Sequence, residues 1–154
     1  MRWKTPLVIF VMILTASFAA AAPASADPIT AESAADCERG ANGFVDIPDN
    51  LNGEVVRGPI VIGPIIVELH KGYVQGLRGW AKVRGSTAAG DLVWMDWTRN
   101  GGATWIQCGP FVVSHTFQTK TSAAQRTNPS PSWQFRACGM VGGTGSVRCT
   151  EPWW

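Results

Sequence analysis

The chain has 154 residues, of which 13 are basic and 11 acidic, and its formal net charge is +2. That is one domain by size, with enough chain to bury a core of its own. The near-balance of charge excludes the basic footprint of a nucleic-acid binder, so nucleic acid is not expected as a partner.

Arg2 and Lys4 precede an apolar run from Leu7 to Ala22, which ends in Ala24-Ser25-Ala26. This basic, apolar, small-residue order is that of a secretory signal peptide. The run is shorter than the ~20 residues of a spanning helix. Cleavage after Ala26 gives a signal peptide, 1–26, and a single secreted β domain, 27–154, with 11 basic and 11 acidic residues. No second run approaches membrane length, so an extracellular location without membrane contact is expected. Asp27 to Glu54 holds seven acids against Arg39, whereas Val55 to Trp154 holds ten basic residues against four acids. An acidic N-terminal segment lying over a basic body accounts for this without a partner.

Asp27 to Gly43 is small and polar and reads as loop up to Cys37. Phe44 to Ile47 reads as a short strand stopped by Pro48, and Asn52-Gly53 as a tight reversal. Glu54 to Leu69 is strongly apolar and carries the near-repeat Gly58-Pro59-Ile60-Val61-Ile62 and Gly63-Pro64-Ile65-Ile66-Val67. Proline cannot donate to a ladder, so this stretch is either two short strands or one bent strand that changes sheets. Tyr73 to Val83 alternates loosely, as a half-buried strand does.

Asp91 to Gly109 is the stretch around which the rest is organised. Leu92 to Trp97 suits a pleated surface, Asn100-Gly101 is a strong hairpin signal, and Ala103 to Cys108 is the return strand. With Thr98 opposite Ala103, the pairs Trp97/Thr104, Met95/Ile106 and Val93/Cys108 form a core face. The other face collects Trp94, Asp96, Trp105 and Gln107. Thr98-Arg99-Asn100-Gly101-Gly102-Ala103-Thr104-Trp105 resembles the Asp-box, Ser/Thr-x-Asp-x-Gly-x-Thr-Trp, with Asn100 in place of the usual Asp. That motif is a hairpin turn of sialidase-type propellers and some microbial ribonucleases. It occurs once here, and the resemblance implies a turn geometry and no activity.

Pro110 to Thr119 reads as continued strand, with Phe111, Val113, His115 and Phe117 two apart. Lys120 to Ser132 is polar and reads as a mobile exposed loop. Trp133 to Cys138 and Val147 to Cys149 flank a Gly-rich tip as the last hairpin. An even number of cysteines in an exported chain points to two disulfides. Cys138–Cys149 is favoured by the hairpin loop between them, and Cys37–Cys108 follows by default. The rival, a zinc site, lacks any C-x2-C pair. Recurring turn signals and no helical period predict an all-β fold: a single antiparallel sandwich, immunoglobulin-like, or a small barrel, of seven or eight strands. The chain also resembles small secreted bacterial all-β proteins of uncharacterised function that end in a Cys-x-x-x-Trp-Trp-like tail, a resemblance that implies no activity.

Chemistry is sparse. His70 or His115 could serve as a general base, with Glu68 or Asp96 as orienter, though nothing in the sequence places these residues together. Asp91 and Asp96 fall on opposite faces of one strand, a poor arrangement for glycoside cleavage. No P-loop, metal site or cofactor is expected. Lys71, Arg78, Lys82 and Arg84 form a modest basic cluster. Tryptophan stands out instead. Trp94 and Trp105 beside Asp96 and Gln107 could stack on sugar rings and bond their hydroxyls; core packing is the alternative. Trp153 and Trp154 are a second platform, or a plug over an open sheet end. The expectation is a monomeric, non-catalytic binding module for an extracellular or cell-wall polysaccharide. An extracellular protein is the alternative partner, met as an interaction or protease-inhibitor domain through 120–132. A small hydrolase comes third.

Overall fold

The structure is a computed structural model that describes residues 30–154, so the expected signal peptide, 1–26, lies outside the described residues. The elements are β1 (Thr30–Glu32), α1 (Ala34–Glu38), β2 (Glu54–Ile62), β3 (Ile65–Tyr73), β4 (Leu77–Gly85), β5 (Leu92–Thr98), β6 (Ile106–Val112), β7 (Lys120–Thr121), β8 (Gln125–Arg126), β9 (Gln134–Met140) and β10 (Val147–Cys149). They form two sheets. The first has the order β1-β6-β5-β9-β10; in the second β2-β3-β4 continues to β7, with β8 also on β4. Neither closes into a barrel, and the fold is a sandwich.

The expectation of an all-β sandwich with two disulfides is met, with differences of detail. Among the described residues there are ten strands, several only two or three residues long. One pair, β1 with β6, is parallel. The bridges are Cys37–Cys108 and Cys138–Cys149. The first ties α1 to β6 and the second joins neighbours β9 and β10, so neither crosses between the sheets as the bridge of an immunoglobulin domain does. Helix α1 was not expected. Ser33 caps it, its hydroxyl oxygen accepting from the Asp36 N–H, and the buried Cys37 anchors it.

The core lies where the sheets face each other. β5 sends Val93, Met95 and Trp97 inward, β9 sends Phe135 and Ala137, β3 sends Val67 and Leu69, and β4 sends Ala81 and Val83. The period of two puts alternate residues of β5 on the outer face. The hairpin register differs from expectation by two residues: Trp97 pairs with Ile106 and Met95 with Cys108. A shift of two preserves faces, so the expected core face is the real one. The shift arises because the 99–105 turn is longer than a two-residue reversal and is closed by side chains. Thr98 Oγ1 accepts from the N–H groups of Asn100 and Gly102 and donates to Thr104 O. Asn100 Oδ1 accepts from the Thr104 N–H.

Other segments correct the sequence reading. For 54–69 the structure takes the first of the two readings: β2 and β3 are two strands of one hairpin around Gly63-Pro64, longer than expected, and not one bent strand that changes sheets. Phe44 to Ile47 makes only one bridge, Val45 with Ala124. β6 stops at Val112, and His115 and Phe117 are exposed. Most of the expected mobile loop is structure: Thr121 to Gln125 are buried, and β7 and β8 pair with β4. Small side chains allow this, Ala123 entering the main core and Ala124 a second one beneath Ile47 and Trp80.

That second core lies on the outer face of the second sheet, under residues 44–53. An ion pair, Asp49 with Lys120 at 3.0 Å, holds this strap to the body, and Glu54 at the start of β2 meets Lys71 across the β2–β3 hairpin at 3.2 Å. The charge asymmetry is thus met within the chain at these two points.

A bulge in β6 separates the Met95/Cys108 and Val93/Phe111 pairs. It depends on Gly109, whose φ of +120° disfavours any side chain and whose added Cβ would stand 2.8 Å from Trp94 Cβ. Gly109→Ala is expected to destabilise the protein by about 2–4 kcal/mol in urea unfolding, from backbone strain and overpacking together.

Candidate functional site

The four side chains expected to form a sugar platform do lie together on the outer face of the first sheet. They are not a platform. Trp94 is 7% exposed and Asp96 2% exposed, while Trp105 and Gln107 are half-buried. Trp94 sits between the Gly109 bulge and the β9 strand at Cys138. Asp96 is opposite Gln107 on one side and Arg136 on the other. Arg136 fills the space that a sugar was expected to take. Its Nε donates to Asp96 Oδ2 at 2.8 Å, and its guanidinium lies 4.8 Å from the Trp105 ring centre and 4.5 Å from that of Trp153. Arg136 was not among the expected site residues. Its place opposite Asp96 on a neighbouring strand was the available signal, hidden because strand order is not written in local pattern.

The chain's end shapes what remains open. Phe135 and Trp154 exchange two backbone hydrogen bonds, at 2.8 and 2.9 Å, continuing the β9–β10 edge past Cys149. Trp154 turns inward, stacks on Phe135 and stands over Gly79 of the facing sheet. It is therefore the plug of the two readings offered for the tail. Trp153 turns outward beside Trp105, with ring centres 6.2 Å apart. Between the tail and the 127–133 segment lies a cleft of about 320 Å³, lined by Arg57, Asn128, Trp133, Gln134, Trp153 and Trp154 among others. Trp133 is itself set by its tilted contact with Trp97, ring centres 4.6 Å apart, and by its indole N–H donating to Arg126 O.

The candidate catalytic groups are otherwise engaged. His70 Nδ1 accepts from the Gly53 N–H at 3.2 Å, so Nε2 carries the hydrogen and donates to Glu68 at 3.1 Å. Sequence did not bring this pair together; the structure does, and leaves neither ring nitrogen free. Glu68 also receives Arg84 at 3.0 and 2.7 Å. The Arg84 fork, aided by His70, holds its carboxyl below the usual range against the effect of burial. His115 is exposed, with Ser114 Oγ 3.2 Å from Nδ1 and no carboxylate orienter among the described residues. Asp91 caps loops, accepting from the Ala88 and Gly142 N–H groups. The expected basic cluster is dispersed. Arg84 is paired with Glu68 and Lys71 with Glu54. Arg78 and Lys82 are buried, donating to backbone carbonyls and to Asn52. Asp96 lies beside the Cys138 and Cys149 sulfurs, but a disulfide withdraws both from metal ligation.

Burial pushes the Asp96 carboxyl up to about 6, from an ordinary 3.8, with Arg136 pulling the other way; Oδ1 is buried and unpartnered. The folded state thus keeps this proton over a range where the unfolded chain has lost it. The group favours folding at low pH and opposes it progressively as pH rises from about 4 to 6. Relative to the wild type, Asp96→Asn should therefore gain about 2–3 kcal/mol between pH 4 and pH 7 in denaturant unfolding. A difference that is flat with pH would refute the raised value.

No family model, curated protein or solved structure matches the chain.

Proposed function

We propose that the protein is a secreted, non-catalytic binding module whose ligand is an extracellular or cell-wall polysaccharide, taken at the tail-end cleft. The carrying observation is the cleft itself, in which Trp133, Trp153 and Trp154 stand among the amides of Asn128 and Gln134. Indole faces stack on the C–H faces of sugar rings, and amides bond hydroxyls, so an apolar wall with a few convergent polar groups suits a glycan. The site proposed from sequence moves by one element: Trp105 stays at its margin through Trp153, and Trp94 leaves it. Export fits two disulfides and the composition of the N-terminal segment. Among the described residues no helix is long and apolar enough to cross a membrane.

The protein-interaction reading keeps one observation in its favour. Thr127 bonds Leu77 O, which sets the exposed 128–131 stretch near the β3–β4 turn, where Tyr73 is 87% exposed and Leu77 43%. Large apolar groups so exposed at a turn suit a protein partner.

Pull-down on insoluble glucan, chitin and whole cell wall separates the two. Trp105→Ala/Trp153→Ala should weaken glycan binding about tenfold or more while leaving the far-UV spectrum unchanged. Unaltered binding in that variant would contradict the glycan reading. Glycan-independent complexes with proteases, lost on Tyr73→Ser, would favour the other.

A further inference from the structure

We infer that the cleft takes an acidic glycan, one bearing carboxylates as uronic acid residues do, and that Arg57 selects for its charge. This rests on the reading of the cleft as a glycan site.

Arg57 is on β2 and half-buried on the cleft wall. Its guanidinium is fixed by two neutral acceptors: Nε donates to Pro152 O at 3.1 Å and Nη1 to Val56 O at 2.8 Å. No carboxylate among the described residues pairs with it. The neighbouring cations are answered differently. Lys71, 5.8 Å from the Trp154 ring centre, has Glu54 at 3.2 Å. Arg136, over Trp153, has Asp96 and Glu151. Arg57 is thus the uncompensated charge of the site, and its remaining nitrogen, Nη2, makes no bond within the described residues.

The rest of the lining sharpens this. Among the described residues no acidic side chain lines the cleft, and its uncharged polar groups are the hydroxyls and amides of Thr127, Asn128, Ser130 and Gln134. A neutral glycan would use the aromatic faces and amides and leave a partly desolvated guanidinium unanswered. A carboxylate on the sugar supplies the missing partner by a charge-assisted hydrogen bond, roughly twice as strong as a neutral one. The guanidinium is already held in place, so little of that gain is lost to ordering it.

The test uses the folded, disulfide-bonded protein with paired probes: oligogalacturonate and oligomannuronate, each with its neutral methyl ester. Titration calorimetry should show at least one acid bound about tenfold tighter than its ester at low salt, with the advantage shrinking as salt rises. Arg57→Met keeps the apolar stem and should bring the acid down to the affinity of its own ester. Equal affinity for acid and ester in both pairs overturns the inference, as does an acid preference that survives in Arg57→Met. The salt dependence of the wild type tests the preference for charge independently of folding in the variant, and Arg57→Met assigns that preference to Arg57. Should neutral oligosaccharides bind through Trp153 with no acid advantage, only this inference falls. Should no glycan of either kind bind, the glycan reading falls with it.

Discussion

Two backbone hydrogen bonds between Phe135 and Trp154 decide where the last two side chains go. An extended pair of residues must point to opposite sides. Because Trp154 is paired to an edge whose inner neighbour is core, its ring enters the gap between the sheets, and Trp153 must face out. The inward ring closes the end of the sandwich against Gly79, a residue with no side chain to obstruct it. The outward ring meets Arg136 and Trp105 and forms one wall of the cleft. Without that pairing there would be neither plug nor cleft.

The same outer surface carries the electrostatic cost of the fold. Asp96 is buried on a central strand and is answered by Arg136, which Glu151 also approaches at 3.5 Å. Burying a paired charge rarely adds stability over an apolar pair, but it fixes geometry. Here it fixes the guanidinium on which Trp105 and Trp153 lean. The Cys138–Cys149 bridge secures the two strands next to it. Rigid support below and half-exposed indoles above are what a binding surface needs.

Much of this frame was legible in the chain. The alternation from Leu92 to Cys108 identified the core face, because parity survives a register error of two. The cysteine spacing indicated the right bridges, one by its short loop and the other by elimination. What failed was the step from "not core face" to "exposed". Parity says which way Trp94 and Asp96 point; it does not say that Arg136, Trp153 and a disulfide lie over and beside them, since strand order is set by contacts far apart in sequence. Lys120 to Gln125 misled for a related reason. Small and polar residues there read as loop, yet β4 had an open edge, and backbone pairing takes such a segment whatever its side chains. Arg57 gave no local signal at all, because its meaning comes from Pro152 and the tryptophans beyond it.

We propose that the indoles lining the cleft, and not those of the core, meet a glycan. Selective ¹⁵N labelling of tryptophan resolves each indole N–H in a correlation spectrum. On titration with soluble acidic and neutral oligosaccharides, the Trp133 and Trp153 signals should shift together and saturate, while those of the buried Trp80, Trp94 and Trp97 hold still. Saturable binding that leaves the Trp133 and Trp153 signals unmoved would contradict the account, and so would a spectrum in which no oligosaccharide moves any indole.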